Sequence, residues 1–241
     1  MFPRRRVESH SEALTKLNEE PNLKSYQGVK FDSIFNNLQF YHTSKGLPPC
    51  LAHDLFEGVV AFDLALFLKD LMKRSDPWFT PKDLNAEIMS FCYSVEDRRD
   101  KPVPLKPKFE KIGGSASEIW SFLRLLPLLI ESKIKDAHDD VWKLILLLRE
   151  IVLLMCAPVV KDSNLSYLES QILDYLDLRA ELFGSVPLRP KHHYMMHYPE
   201  LTAEFGPLIK VWTQIGKQTQ SFEEIVPGSL QCHQYHKNPV L

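Results

Sequence analysis

The sequence predicts a mainly α-helical fold, and three observations lead to it. Long stretches carry leucine, isoleucine and phenylalanine at helical intervals. Prolines, 17 in 241 residues, separate those stretches, and glycines number only 9, which disfavours turn-rich sheets and phosphate-binding loops. No stretch after residue 50 alternates as a half-buried strand would. The hydrophobic fraction of 44% and the charged fraction of 25% are typical of a globular chain that can bury a core.

The N-terminal segment, residues 1–48, is weakly periodic and predicted to be poorly defined. Residues 8–20 can form a short charged helix that Pro21 stops. Residues 46–49 then force an extended approach to the next element. Between these two features lies an apolar cluster whose first four members have helical spacing: Phe31, Ile34, Phe35, Leu38 and Phe40.

Residues 49–213 are predicted to form the helical domain and residues 214–241 an irregular tail. Thr80 is the expected N-cap of a helix that begins at Pro81, and Ser117 that of a later helix containing Pro127. Pro199 is expected to kink or break the last helix. Residues 95–110, rich in proline and charge, are predicted to be a solvated connector. Apart from the helix at Pro81, the predicted helices cover residues 54–74, 118–131, 140–157 (capped by Asp139 or Asp140), 163–183 and 190–205.

The charge balance narrows the classes of partner. A net charge of -2 excludes a broadly basic protein that coats nucleic acid, although local basic clusters could still contact DNA. No secretory signal is recognisable, so the expected location is nuclear or cytoplasmic and not secreted. The most apolar stretch, residues 141–160, contains Lys143, Arg149 and Glu150, which predicts a buried helix and no membrane span. The basic clusters are Arg4, Arg5 and Arg6, then Arg98, Arg99 and Lys101, then Lys106, Lys108 and Lys111, and finally Lys191.

Two groups of cysteine and histidine suggest a metal centre. Cys50 and His53 form a Cys-x2-His pair at the start of a helix, while His193 and His197 lie one helical turn apart. Zn²⁺ takes four nitrogen or sulfur ligands in a tetrahedron, so these residues predict a structural zinc site joining the two ends of the domain. In this prediction His192 is either the ligand in place of His193 or a residue that supports a ligand from outside the coordination sphere. The alternative is that the histidines are ordinary surface or core groups.

The other cysteines receive different predictions. Cys92 and Cys156 fall on apolar helix faces and are expected to be inert core thiols. Cys232, His233 and His236 form a further cluster in the irregular tail, where a metal site is the less favoured interpretation.

A catalytic alternative starts from the dipeptide His53-Asp54. Such pairs occur in metal-dependent phosphohydrolases, where a carboxylate and imidazoles bind the metal that activates water. Asp54 is more simply a first-turn acid that the helix dipole favours. The residues that could complete the phosphohydrolase set are His42, His192 or His193, and Asp174 or Asp177.

Three segments in order resemble transposase-derived proteins near the CACTA (En/Spm-like) group of DDE transposases: CLAHDLFEGVV, GSASEIWSFLRLLPLLI and PKHHYMMHYPELTAEFGPLIKVWT. The resemblance implies a helical insertion that interrupts an RNase H-like core between the second and third catalytic acids. It also implies a zinc site in that insertion. Cys50 and His53 match its first ligand pair, and His193 (or His192) and His197 match the second.

The departures from that family concern catalysis. The contexts of the first two catalytic aspartates have no counterpart in this chain. The third acid, a glutamate, is expected soon after Trp212 and Thr213, where residues 214–217 read Gln-Ile-Gly-Lys instead. Glu223 and Glu224 do not match its context. The resemblance therefore predicts a fragment with no catalytic residues, most of the RNase H-like core missing, and no organic cofactor.

Three functional hypotheses follow. The first is a non-catalytic, zinc-stabilised fragment of a DDE transposase that binds DNA or protein, with the clusters between residues 98 and 111 as the candidate phosphate-binding strip. The second is a helical protein–protein interaction module without metal, whose partner is unknown. The third is the phosphohydrolase centred on His53-Asp54.

Overall fold

The computed structural model describes residues 4–46 and 48–212. Within them the prediction of a mainly helical fold is confirmed: the sole β pairing is an isolated bridge between Tyr26 and Val29. The helices are α1 (Val7–Glu19), a π-helical segment (Ala52–Val60) continuous with α2 (Ala61–Lys73), α3 (Pro81–Ser90), α4 (Ala116–Leu129), α5 (Asp140–Met155), α6 (Asp162–Leu182), α7 (Pro190–Met195) and α8 (Tyr198–Phe205). Short 3₁₀ turns lie at Ile34–Asn37, Glu131–Lys133 and Leu208–Val211.

The π-helical segment and α2 form the centre of the core. The π-helical segment packs against α4 and α7, while α2 packs against α5. Beyond them α5 packs on α6, and α6 packs on α8. Leu55, Phe56, Val59, Leu64 and Leu68 are completely buried, so this long helix is surrounded by the others. None of the helices in the described residues combines the length and the apolarity needed to cross a bilayer.

Side-chain caps fix where several helices start. Thr80 and Asp83 form a reciprocal box, with Thr80 N–H 2.8 Å from Asp83 Oδ2 and Asp83 N–H 3.2 Å from Thr80 Oγ1. Asp139 Oδ1 accepts from the N–H groups of Val141 at 3.0 Å and Trp142 at 3.1 Å. Both caps agree with the sequence prediction.

The predicted cap of α4 is wrong by two residues. The cap is Ser115, whose N–H donates to Glu118 Oε2 at 2.7 Å, whereas Ser117 lies inside the helix and is buried. Glu118 decides the start because a capping box needs an acid three residues after the cap. Pro127 lies within α4, two residues before its end at Leu129, and Pro199 follows the first residue of α8 after a break that ends α7.

Two further predictions need correction. Cys92 is exposed, since α3 ends at Ser90 and the chain turns away before this residue. Cys156 is buried as expected, and burial raises the pKa of its thiol. The connector at residues 95–110 is helix-free but only partly solvated, because Leu105 is buried and its N–H donates to Asn85 Oδ1 at 2.6 Å.

Candidate metal centre

The first predicted ligand pair lies where the chain enters the π-helical segment. His53 Nδ1 is 3.2 Å from Cys50 Sγ. This hydrogen bond with Cys50 raises the pKa of His53, although the imidazole itself is exposed. A backbone bond of 2.8 Å from Asp54 N–H to the Cys50 carbonyl closes the turn that brings the thiol and the imidazole together.

The second pair spans the break between α7 and α8. His193 Nε2 and His197 Nε2 are 3.2 Å apart, and their rings are perpendicular with centroids separated by 4.7 Å. Burial, and secondly the neighbouring His193, lower the pKa of His197. The predicted four-residue spacing therefore brings the two imidazoles together even though the segment is not one continuous helix.

Lys191 connects the elements that carry the two pairs. Its ammonium donates to the backbone carbonyl of His53 at 2.5 Å and lies 3.5 Å from Asp54 Oδ1. Gly58 permits this approach, because a Cβ at that position would stand only 2.4 Å from Lys191 Cδ. In residues 4–46 and 48–212, however, no three His, Cys, Asp or Glu side chains are grouped closely enough to hold a metal ion. The predicted ligands are present as two pairs on adjoining elements.

His192 occupies a different environment from its neighbour His193. The backbone N–H of Arg189 donates to His192 Nδ1 at 2.9 Å, so the ring proton is placed on Nε2. That Nε2 is 2.7 Å from Asp63 Oδ2 in the core. With both nitrogens engaged and the side chain buried, His192 is held away from the pair that His193 forms with His197.

A buried polar network around Asp63 escaped the sequence analysis. Tyr175 Oη donates to Asp63 Oδ2 at 2.5 Å, and Arg179 Nε is 3.1 Å from the same oxygen. Arg179 Nη1 also donates to the carbonyl of Val186 at 2.9 Å. All of these side chains are buried, and they connect α2, α6 and α7. The residues four positions before and four positions after Asp63 are both apolar. An acid in the middle of an apolar helix face is the sequence signal that could have revealed the network.

Tyr198, the first residue of α8, is fully buried beside the candidate ligands. Among residues 4–46 and 48–212 its hydroxyl has no hydrogen-bond partner. Burial, followed by the charges of Asp54 and Cys50, raises the pKa of Tyr198. A polar atom without a partner in this position is unusual, because nearly all buried hydroxyls in folded proteins are hydrogen-bonded.

The residues proposed to complete a phosphohydrolase site do not converge. His42 Nδ1 is 2.6 Å from Ser44 Oγ, and the ring of His42 lies edge-on to that of His10. Asp174 and Asp177 face solvent on α6. The other candidate cluster, Cys232, His233 and His236, lies outside the described residues, as do Glu223 and Glu224.

The basic strip between residues 98 and 111 is at the surface. Lys101 Nζ lies 5.3 Å from the centroid of the Tyr93 ring, and the acid nearest to the strip's start, Asp97, forms an ion pair with Arg124. The exposed cations of the strip are Arg98, Arg99, Lys101, Lys106, Lys108 and Lys111.

Comparisons with known proteins found no relative of this chain. No protein-family model, no curated protein and no solved structure matches the chain.

Proposed function

We propose that this chain is a non-enzymatic, zinc-stabilised binding module derived from a DDE transposase, in which Cys50, His53, His193 and His197 hold one Zn²⁺. The supporting observation is the spacing within each pair, 3.2 Å for Cys50 Sγ to His53 Nδ1 and 3.2 Å for the two histidine Nε2 atoms. Neighbouring ligands of tetrahedral zinc are about 3.3–3.6 Å apart, given Zn–N and Zn–S bonds of about 2.0–2.3 Å. Each pair already has nearly the length of one tetrahedral edge.

The donor set suits zinc rather than magnesium or calcium. One thiolate and three imidazoles are nitrogen and sulfur ligands of the kind found in structural zinc sites. Binding requires neutral imidazoles, and the lowered pKa of His197 favours that form near neutral pH. The raised pKa of His53 works in the opposite direction, and zinc must also displace the proton of the Cys50 thiol.

The expected role of the metal is to fix α7 to the π-helical segment. Lys191 already holds these elements together through the His53 carbonyl. A metal bound by both pairs would add four coordinate bonds to this contact. We propose no enzymatic activity because no carboxylate in this sequence has the context that the catalytic acids have in the DDE transposases it resembles.

The test is zinc stoichiometry and affinity on the purified full chain. We expect about one zinc per chain, and loss of about 100-fold or more in affinity after Cys50→Ser or His197→Ala. Cys92→Ser and His138→Ala are matched controls, because both residues are exposed and should leave zinc binding unchanged. Absence of stoichiometric zinc, together with melting that is unchanged by chelator or by the ligand substitutions, would contradict the proposal.

A metal-free helical interaction module is the second candidate. The grouping of the four residues as two pairs, with no cluster of three in the described residues, favours it. It predicts a chain whose melting temperature is the same with and without chelator. The zinc measurement therefore separates the two candidates directly.

We propose DNA as the partner of the exposed basic strip at residues 98–111. Phosphate contacts make affinity fall steeply with salt, with a slope of about −0.9 in log–log terms for each contact. For a duplex of arbitrary sequence, we expect Lys106→Ala/Lys108→Ala to weaken binding and flatten the slope by about 1–2. Lys16→Ala/Lys143→Ala, which changes two lysines outside the strip, is the charge-matched control. Wild-type affinity that does not depend on salt would exclude this partner.

A further inference from the structure

Residues 31–40 present an apolar surface to solvent that the proposed metal site does not explain. The exposed fractions are 76% for Phe31, 78% for Ile34, 58% for Phe35, 55% for Leu38 and 93% for Phe40. We refer to these five side chains as the 31–40 apolar face. The sequence pattern identified them as a cluster, and the structure turns that cluster outward.

Polar contacts hold this segment in its outward-facing orientation. Asn36 Nδ2 donates to Asp32 Oδ1 at 2.6 Å, and Asn36 Oδ1 accepts from the N–H and the hydroxyl of Thr43, both at 2.9 Å. The amide of Asn36 also lies 3.3 Å from His10 Nε2 on α1. Asn36 thus faces the protein, while the five apolar side chains face water, where large apolar groups are unusual as a contiguous set.

The size of the 31–40 apolar face matches half of a small protein interface. From the exposed fractions and ordinary side-chain areas it covers roughly 600–700 Å², at or above the largest patch on a typical monomer. Two such faces together would bury about 1,200–1,400 Å², which reaches the lower end of stable, specific interfaces.

The charge of the segment favours a second copy of this chain over a partner recognised through charge. Asp32 is the one ionisable residue in positions 31–40, and its carboxylate accepts hydrogen bonds from Asn36 and the N–H of Ser33. The segment therefore offers a partner that is recognised through charge only one acid to contact. Aromatic and aliphatic side chains are self-complementary in a two-fold contact, where each patch meets its own equivalent.

We propose that the 31–40 apolar face pairs with the same face of a second copy, so that the protein is a two-fold symmetric dimer. Lys30, Asn37 and Gln39, exposed at its border, then form the polar rim that surrounds an apolar interface core.

The experiment is sedimentation velocity on the full chain, with chelator present, from about 1 to 100 µM, a range that brackets the dissociation constant expected of a small interface. We expect the wild type to change from monomer to dimer across this range. Phe31→Ser/Phe35→Ser/Phe40→Ser should remain monomeric, with unchanged helical circular dichroism. Met89→Ser/Val159→Ser removes two apolar side chains that are as exposed but lie elsewhere, and it should dimerise as the wild type does.

Three outcomes would overturn the proposal. A wild type that is monomeric throughout would indicate that another molecule covers the face, and a triple variant that still dimerises would place the interface elsewhere. Growth beyond a dimer would show open-ended association instead of a closed two-fold contact. Because chelator is present, a dimer cannot be attributed to a metal bound between two chains, and circular dichroism of the same samples shows whether the metal-free chain is still folded.

Discussion

At the scale of single residues, two buried tyrosines show how a hydrogen-bond partner determines the contribution of a buried hydroxyl to stability. The hydroxyl of Tyr175 donates to Asp63, whereas the hydroxyl of Tyr198 is equally buried and has no partner within the part of the chain that the structure describes. Both residues occur in helices and look alike in the sequence. Their difference depends on tertiary neighbours, and no local pattern records it.

Phenylalanine substitutions at the two tyrosines should therefore have unequal effects in the metal-free protein. Tyr175→Phe should lower the free energy of unfolding by about 1.5–3 kcal/mol, because a bond to a charged acceptor is lost. Tyr198→Phe should be neutral or stabilising by about 1 kcal/mol, because it removes an unsatisfied buried hydroxyl. Urea unfolding of the two variants measures both values, and a larger loss for Tyr198→Phe would contradict this account.

Asp63 is the acceptor that three buried side chains share, so we expect it to be a sensitive residue of the core. Asp63→Ala leaves Arg179 buried without its counter-charge, so we expect a loss of about 3–5 kcal/mol in the free energy of unfolding. Asp63→Leu/Arg179→Met should cost less, because it removes both charges, although Tyr175 and His192 still lose their acceptor. Asp70→Ala, which alters an acid of a half-exposed ion pair with Arg74 on the same helix, should cost about 1 kcal/mol or less. Chemical unfolding supplies the comparison, and equal losses for the single and double core variants would refute it.

At the scale of helices, capping residues were predictable and their exact positions were less so. Thr80-Pro81 and Asp139 carry local signals that fix helix starts without help from the rest of the fold. For α4 two serines competed, and Ser115 is the cap because Glu118 lies three residues later. Cys92 shows the opposite case: the apolar periodicity continues past Ser90, but the helix stops there.

The cap of α5 leads to a pH-dependent prediction. Burial raises the pKa of Asp139, but the hydrogen bonds from Arg74 and from the N–H groups of Trp142 and Val141 outweigh it, so the pKa lies below its ordinary value of 3.8. The folded state therefore favours the carboxylate, and the stabilisation is complete above that value and lost as the pH falls through the lowered pKa. Asp139→Ala should cost about 1–3 kcal/mol at neutral pH.

Measuring the free energy of unfolding against pH tests whether Asp139 loses its stabilising effect in acid. The gap between wild type and Asp139→Ala should be constant near neutrality and narrow below about pH 3.8, where the carboxylate becomes protonated. Asp140→Ala alters the adjacent acid, which forms only an exposed pair with Lys143, and it should change stability by less than about 0.5 kcal/mol. A gap that widens in acid would contradict the assigned direction.

At the scale of the whole molecule, local patterns predicted the helices, and packing determined the relations between them. Each candidate ligand pair was predictable because its members are three or four residues apart. How closely the pairs approach depends on α7 docking against the π-helical segment through Gly58 and Lys191. The outward-facing segment at residues 31–40 was likewise unpredictable, since its orientation is set by contacts of Asn36 with Asp32, Thr43 and His10.

Stability should also differ across the molecule. Helix α1 buries only His10 and Ala13, whereas α5 buries half of its 16 residues. Few buried contacts allow opening at low free energy. In hydrogen exchange under native conditions, the amides of α1 should therefore exchange at least about 100-fold faster than those of α5. The same measurement on Phe31→Ser/Phe35→Ser/Phe40→Ser excludes protection by self-association, and equal protection of the two helices would contradict the prediction.

The π-helical segment has a consequence for how this protein tolerates changes in length. The N–H of Ala61 bonds to the carbonyl of Phe56, five residues back, so the turn contains one residue more than an α-helical turn. Deleting one residue from positions 54–60 would let this turn close as an ordinary α-helical turn, so the chain on either side of it would keep nearly its present orientation. The same deletion in α2 would rotate everything before it by about 100° around the helix axis and would turn Cys50 and His53 away from α7. The wide turn thus accommodates one extra residue, and a single-codon deletion there would leave the two ligand pairs on facing elements.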